Sequence, residues 1–304
     1  MSAFLLKSQE QDRIILLLYI VASVIACLCY SIFCKKVIYF YHLTLYSVKT
    51  RHMIQSNPAI DPLIKDIVSR IEFRLIPQSI PWSASFKFEQ QDNVLREIDV
   101  VNTHIHDAHT PLMNIDFLKT PRLSTLAIAY IINRLVHAMP SEEMYLNIGV
   151  WCGFSFFAGI LGNEQKFCRG VDNFSGDIVN LGNETIKNIF IIQNNIFHTP
   201  RSTFYEVDYE TYFQNTHSGP IGVYFYDGDH RPEHTVRGLD LAEPFLAKNA
   251  YVLMDDTNDR DVYSITMDFL SNSKETYALV FDEKTPTVGH PTFWNGLLIC
   301  KKIS

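Results

Sequence analysis

Two apolar, strand-forming runs end in acidic residues. The run VYFYDGDH carries Asp227 and His230 at its end, and the run AYVLMDD ends in Asp255 and Asp256. A buried strand has no structural need for such a tip. Carboxylates and an imidazole that lie close together can bind a cation or move a proton. The residue types therefore predict a chemical site where these two strands end.

Asp227 and Asp255 are 28 residues apart, which is the length of one strand–helix–strand unit. Such a unit places them at the ends of neighbouring parallel strands, about 5 Å apart in the pairing direction. Carboxylates crowded there repel unless a cation lies between them, and a hard divalent ion such as Mg²⁺ suits these ligands. Solvated aspartates that cap helices are the alternative. We expect Asp227, Asp255 and Asp256 to bind the ion and His230 to accept a proton from a hydroxyl group held there.

The elements that must position these residues alternate from Tyr145 onwards. Strand-like and helix-like segments follow one another, and the chain closes with two strand-like segments, TYALVFD and FWNGLLICKK. This alternation predicts a mostly parallel sheet with helices on both faces. Because ligands of such sheets bind beyond the carboxyl ends of the strands, the residues just after each strand matter most.

Three earlier strand ends also carry polar or glycine residues. The first leads through Asn147 into the turn GVWCG (149–153) and Ser155, where glycines allow close approach of a ligand and the next helix presents its N–H groups to an anion. Asp172 ends the second strand and could accept hydrogen bonds from two ribose hydroxyls or cap the following turn. Asp208 ends the third strand.

Together these residues resemble the class I S-adenosylmethionine-dependent methyltransferases, and most closely the metal-dependent O-methyltransferases with a DGxH motif, which include enzymes that act on sugar hydroxyls. The resemblance spans roughly Ser141 to the C-terminus and rests on YLNIGVWCGFS, CRGVDNF, VYFYDGDH, VRGLDLAEPFL, AYVLMDD and FWNGLLI. It implies a Rossmann-like, doubly wound α/β fold whose mostly parallel seven-stranded sheet contains a C-terminal antiparallel strand. It also implies S-adenosyl-L-methionine and Mg²⁺ as cofactors, with methyl transfer to a hydroxyl oxygen of a small molecule or glycan.

The resemblance also implies roles for individual residues. The cofactor-binding set is Asn147, Gly149, Gly153, Ser155, Asp172 and Asp208, with Asp172 on the ribose and Asp208 near the adenine. The metal ligands are Asp227, Asp255 and Asp256, and the catalytic residues are Asp227 and the general base His230. Two positions depart from the family pattern, since Asn147 replaces an acidic residue and Asn249-Ala250 replace a Gly-Gly pair.

Two other functions stay open. The first is a membrane-tethered binding protein with a methyltransferase fold that has lost its chemistry, which the asparagine at position 147 could reflect. The second is a nicotinamide-dependent oxidoreductase on a doubly wound sheet. The oxidoreductase is disfavoured because the first turn lacks the Gly-x-Gly-x-x-Gly pattern.

Residues 14–34 form 21 uncharged, mostly apolar positions, long enough to cross a bilayer as a helix. A signal peptide and a buried soluble helix are the alternatives. Lys and Arg are more frequent after the segment than before it, which predicts a single-pass membrane protein with its catalytic domain facing the cytoplasm. The expected organisation is a tail (1–13), a transmembrane helix (14–34), a juxtamembrane and linker region (35–118) and a methyltransferase domain (119–304).

The linker region and the start of the methyltransferase domain contain less regular patterns. Residues 61–76 have helical spacing after a capping Asp61, and residues 121–140 predict a second helix opened and closed by proline. The sequence THIHDAHT clusters three histidines, His104, His106 and His109, with one aspartate. A metal site is one interpretation, but clustering without geometry favours a polar loop.

Composition limits the partners. A formal net charge of −7 argues against nucleic acid, because neutralising phosphates needs a basic surface. The six cysteines lack the spacing of a zinc site or a secreted disulfide framework, which indicates reduced thiols. The expected partners are therefore a small-molecule or glycan acceptor and, through the N-terminal helix, a membrane. A homo-oligomer stays open.

Overall fold

The structure, a computed structural model, describes residues 61–82, 98–108, 110–176 and 182–304. In chain order its strands are β1 (Ile71–Phe73), β2 (Thr103–Ile105), β3 (Met144–Ile148), β4 (Phe167–Val171), β5 (Ser202–Tyr205), β6 (Ile221–Tyr226), β7 (Leu246–Asp255), β8 (Tyr277–Glu283) and β9 (Leu297–Lys302). Its α-helices are α1 (Pro62–Ser69), α2 (Ile115–Leu118), α3 (Leu126–Ala138), α4 (Phe154–Ile160), α5 (Asn183–Phe197), α6 (Tyr209–Asn215), α7 (Pro232–Ala242) and α8 (Arg260–Asn272). Residues 98–102 are also helical, and 3₁₀ turns span Pro111–Met113 and Glu243–Phe245.

Seven strands form one sheet in the order β5-β4-β3-β6-β7-β9-β8. The first five run parallel, and β9 is antiparallel to β7 and β8, its neighbours. The strand order reverses at β3, which has β4 on one side and β6 on the other. The prediction of a Rossmann-like, mostly parallel seven-stranded α/β sheet with a C-terminal antiparallel strand is confirmed. Ligands of such sheets bind where the strand order reverses.

The central strands are buried on both faces. Every residue of β3 and β6 is buried, as expected for parallel strands covered by helices on both sides. In β6, Val223 and Phe225 join the core formed with α1, α3, α4 and α5, whereas Tyr224 and Tyr226 join the core formed with α6, α7 and α8. Side chains alternate between the two faces along β6. This alternation determines the face on which each polar residue at the end of the strand lies.

The helix predicted over residues 61–76 begins as expected and ends early. Asp61 Oδ1 accepts hydrogen bonds from the amides of Leu63 and Ile64, but α1 stops at Ser69. The residues that follow form β1 and pair antiparallel with β2. Pairing with a strand some 30 positions away overrides the local helical spacing, because it buries Ile71 and Phe73.

Two other predictions are adjusted by the structure. The helix expected over 121–140 begins only at Leu126, with Thr125 as its N-cap. Part of THIHDAHT is not a loop but the strand β2, while His109 lies outside the described residues. Asn249, at the departure from the family's Gly-Gly pair, has a φ of +68°, a left-handed conformation that asparagine tolerates.

The predicted membrane localisation is corrected. Within the described ranges, no helix combines the length and apolar character needed to cross a bilayer. The segment 14–34, on which that prediction rested, lies outside the described residues. We therefore withdraw the single-pass, cytoplasm-facing arrangement.

A buried ion pair supports the start of α3. Arg122 Nη2 lies 2.9 Å from Asp99 Oδ2, and both side chains are almost fully buried. The Asp99 carboxylate also accepts hydrogen bonds from the Leu126 amide and the Thr103 hydroxyl. The guanidinium of Arg122 lies over the Phe154 ring. This pair therefore joins the segment before β2 to the N-termini of α3 and α4.

Arg122→Met is expected to lower the free energy of unfolding by about 3–5 kcal/mol, because it leaves the Asp99 charge buried without its partner. Methionine retains an apolar contact for Phe154, so the loss reports mainly on the charge. Arg70→Met is the matched control, since the Arg70–Asp66 pair is exposed and worth about 0.3–0.5 kcal/mol. Urea denaturation measures both. Equal effects of the two substitutions would contradict this view of the ion pair.

Candidate active site

The ends of β3 and β6 meet through their backbones. Gly149 has a φ of +78°, and a Cβ on it would lie 1.9 Å from the Asp227 carbonyl oxygen. The Asp227 amide donates to the carbonyl of Ile148, and the Gly149 amide donates to that of Val171, both at 2.9 Å. Only glycine fits this approach. Two features are therefore parts of one site. They are the glycine turn (149–153) and the acidic tip, which consists of Asp227, His230, Asp255 and Asp256.

Asp172 holds the glycine turn in place. Its Oδ2 accepts hydrogen bonds from the amides of Val150 and Trp151, each at 2.9 Å. Its Oδ1 accepts one from Phe174 at 2.7 Å, as a cap of the following turn does. The carboxylate lies beside the turn and accepts from backbone amides on both sides of it. Its contact with a ribose stays a prediction.

Asn147 of β3 and Ser155 of α4, on either side of the turn, bond to one another. The Ser155 hydroxyl donates to Asn147 Oδ1 at 2.9 Å, and Asn147 Nδ2 donates to the Gly149 carbonyl at 3.0 Å. An acidic side chain at position 147 could not make the second bond, because an ionised carboxylate only accepts. Asn147 is fully buried, so its amide shapes the turn. Its contact with a cofactor stays a prediction.

Two further cofactor candidates lie at helix N-termini. Gly153 is the N-cap of α4 with a φ of +98°. Asp208 is the N-cap of α6, and its carboxylate accepts from both the amide and the hydroxyl of Thr211, at 2.8 and 2.6 Å. Asp208 follows β5, which ends at Tyr205. Contact with an adenine is untested.

Asp227 and Asp255 are brought together by strand register. Tyr226 of β6 pairs with Met254 of β7, so the next residues meet at the strand ends. Their carboxyl groups are in hydrogen-bonding contact, and Asp255 is only 2% exposed. Burial and the neighbouring charges of Asp255 and Asp256 raise the pKa of Asp227 far above its ordinary value. Burial and Asp256 also raise the pKa of Asp255. Without a cation, the pair therefore holds a proton more strongly than two separate carboxyl groups would.

His230 and Asp256 form the second pair of the tip. His230 Nδ1 lies 3.2 Å from Asp256 Oδ2, while Nε2 is buried and has no hydrogen-bond partner among the described residues. Burial lowers the pKa of His230, but the hydrogen bond and charge of Asp256 outweigh it, so the pKa lies above the ordinary value. Because Nδ1 can donate to Asp256, Nε2 is left with a lone pair for a proton.

The possible ligand atoms of the three aspartates do not all lie within 4.8 Å of one another. Within the described ranges, the group of three potential ligands whose atoms all lie within 4.8 Å of one another is Glu72, His104 and His106. At the acidic tip, Asp227 contacts Asp255, whereas Asp256 contacts His230. One carboxylate oxygen each of Asp255 and Asp256 is buried and lacks a hydrogen-bond partner in the described structure. Buried acceptors of this kind fit a cation. The role of Asp256 as a third ligand stays a prediction.

The segment between β8 and β9 packs against Thr257 and Asn258, which follow β7. The backbone N–H of Asn258 donates a hydrogen bond to the Asn295 carbonyl at 2.8 Å. The Asn258 side chain forms hydrogen bonds with Thr285. A Cβ on Gly296 would lie 2.8 Å from Asn258 Oδ1. This contact beside the acidic tip was not predicted from the sequence. No local pattern marks it, because its contacts join distant parts of the chain.

Trp151 is a second residue that the sequence analysis missed. It lies in the glycine turn with a φ of +47°, and its buried Nε1 has no hydrogen-bond partner among the described residues. A left-handed tryptophan is rare, and such backbone conformations cluster at functional sites. A large aromatic residue between the glycines of GVWCG was the available signal.

Residues 146–257, which contain the glycine turn and both acidic strand ends, match the family model described as a methyltransferase domain. This region is therefore similar in sequence to methyltransferase domains. No curated protein sequence shows significant similarity to the chain.

Several solved structures resemble the chain at low sequence identity. An O-methyltransferase from Bacillus cereus in complex with SAH is 13% identical, with a TM-score of 0.46 over 74% of this chain and 93% of that one. A putative caffeoyl-CoA O-methyltransferase from Staphylococcus aureus is 13% identical, with a TM-score of 0.45 over 70% and 99%. TomG from Streptomyces achromogenes, an O-methyltransferase of tomaymycin synthesis solved with SAM, is 12% identical, with a TM-score of 0.40 over 73% and 92%.

The buried pair predicts a pH-dependent stability in chelator-treated protein. Above about pH 4 the unfolded chain releases carboxyl protons that the folded pair retains, so stability falls as pH rises. Asp255→Asn removes one of the two charges. We expect the variant to unfold at higher denaturant than the parent at pH 8, with the difference shrinking towards pH 4.

Chemical denaturation between pH 4 and pH 8 measures this effect. Asp240→Asn, an exposed position on α7, should follow the parent throughout. Parallel pH profiles for the Asp255→Asn variant and the parent would show that the pair does not retain its proton.

Proposed function

We propose that this protein transfers the methyl group of S-adenosylmethionine to a hydroxyl oxygen of a small molecule or glycan, assisted by a divalent cation. The observation that most supports this proposal is the junction of three features at one strand end. The glycine turn touches the backbone of Asp227, whose carboxyl group contacts Asp255, and the Asp256–His230 pair lies alongside.

The cofactor would lie along the ends of β3, β4 and β5. Gly149 and Gly153 permit close approach, and Asn147 and Ser155 hold the turn in shape. The Asp172 carboxylate accepts hydrogen bonds from the amides of Val150 and Trp151 and would accept the ribose hydroxyls through its remaining lone pairs. Asp208 caps α6 at the β5 end, where the adenine would lie.

When bound, S-adenosylmethionine supplies the methyl group, and a divalent cation lowers the pKa of the acceptor hydroxyl. Asp227 and Asp255 are the residues that would hold the cation, together with the buried free oxygen of Asp256. Carboxylate ligands favour Mg²⁺ over softer metals. Bringing both charges to one cation also removes the repulsion that otherwise keeps a proton on the pair.

His230 is the proposed general base. Asp256 accepts from Nδ1, which keeps the lone pair on Nε2, and Nε2 accepts the proton of the acceptor hydroxyl as the methyl group is transferred. Asp256 then stabilises the imidazolium that forms. The segment between β8 and β9, with Asn258 and Thr285, is the proposed border of the acceptor site.

The function is tested by incubating the full-length protein with labelled S-adenosylmethionine, Mg²⁺ and a panel of sugars, catechols and lipid extracts. Once an acceptor is found, His230→Ala should lower kcat by about 10²–10⁴-fold, the usual contribution of a general base. His198→Ala, at an exposed histidine after α5, should leave it unchanged. Calorimetry with S-adenosylmethionine is the companion measurement. Full activity of a folded Asp255→Ala variant that binds the cofactor would refute the assisted mechanism, and absent cofactor binding would refute the function.

The pH dependence of kcat/KM provides a separate test of the base. Since Asp256 raises the pKa of His230, the acidic limb of the profile should lie above the ordinary histidine value of about 6.5. Asp256→Asn removes that charge, so the limb should shift to lower pH even as the rate falls. A limb that does not move on this substitution would show that Asp256 acts only on the fold.

A further inference from the structure

Three potential metal ligands lie on one face of the β1–β2 pair. The register places Glu72 opposite His104. His106 comes two positions after His104 and therefore lies on the same face of the strand pair. His106 Nε2 lies 2.7 Å from Glu72 Oε2, and the rings of His104 and His106 are perpendicular with their centroids 4.4 Å apart. One ligand atom from each residue lies within 4.8 Å of the other two.

The chemistry of this group differs from that of the acidic tip. Two imidazoles and one carboxylate form a nitrogen-rich set that suits Zn²⁺ and related transition metals, whereas Mg²⁺ prefers oxygen ligands. The Glu72–His106 hydrogen bond already holds two of the ligands together, and a metal would replace the shared proton.

Arg74 is the charge that opposes binding. It follows Glu72 by two positions and acts electrostatically on both Glu72 and His104. Its positive charge weakens a nearby cation site without contributing a ligand. Removal of this charge should therefore strengthen binding, which a nonspecific histidine cluster elsewhere on the surface would not show.

We propose that Glu72, His104 and His106 form a binding site for a divalent transition metal, with three protein ligands and at least one open coordination position. None of the three belongs to the proposed methyl-transfer site, so the inference does not depend on that function. Glu72 lies in β1 and His104 in β2, so a bound metal would tie together two strands that are only three residues long. A metal that binds the folded chain and not the unfolded chain would raise the stability of the fold.

The test is calorimetric titration of ZnCl₂ into the chelator-treated, full-length protein. The expected result is one Zn²⁺ per chain for the parent and for two controls, His198→Ala and Asp255→Asn. His104→Ala and Glu72→Gln should each lose this binding, and Arg74→Gln should bind more tightly. Glu72→Gln keeps a side chain that can still bond to His106, so it tests the ligand even if the alanine variant unfolds.

Two readouts separate this site from other metal binding. Co²⁺ should give the visible spectrum of a protein-bound ion in the parent and lose it in His104→Ala, and Zn²⁺ should raise the melting temperature of the parent but not of Glu72→Gln. Loss of Zn²⁺ binding in Asp255→Asn would assign the metal to the acidic tip instead. Equal isotherms for the parent and the folded Glu72→Gln variant would overturn the proposal.

Discussion

Two buried carboxyl groups in contact, those of Asp227 and Asp255, constrain the rest of the site. Neighbouring parallel strands deliver them to one point, and the packing of β6 and β7 between helices prevents them from moving into water. Such a pair is stable only if it keeps a proton or binds a cation. Its free-energy cost is opposed by the apolar burial of the strands that carry it. The packed strands therefore hold, in a fixed position, a pair of carboxyl groups that needs a proton or a cation.

The glycine turn after β3 is organised around the same point. Gly149 touches the Asp227 backbone, and Asp172 draws the amides of Val150 and Trp151 towards itself. The turn depends on acceptors from two other strands rather than on its own sequence. A change at Asp172 would thus alter the shape of the turn as well as any ribose contact. The same holds for Asn147, whose amide joins Ser155 to the Gly149 carbonyl.

The two groups of potential ligands differ in chemistry and in setting. The acidic tip is buried and all-oxygen, while the Glu72–His104–His106 group is more exposed and rich in nitrogen. Because hard cations favour the first set and transition metals the second, the two need not compete for one ion. Histidine pairs on a strand gain a third ligand most simply from the strand opposite, which is the geometry that the β1–β2 register provides.

The sequence alone determined the elements whose signals are local. Buried apolar runs and helical spacing located most strands and helices, and the order of those elements placed Asp227 beside Asp255. Only the tertiary structure decided the rest: β1 in place of a longer helix, the pairing of Asp256 with His230, and the segment around Thr285 against the β7 end. The tertiary structure likewise places Glu72 opposite His104, through the pairing of β1 with β2. Each of these contacts joins positions distant in the chain or depends on where one side chain turns, and periodicity carries no information about either.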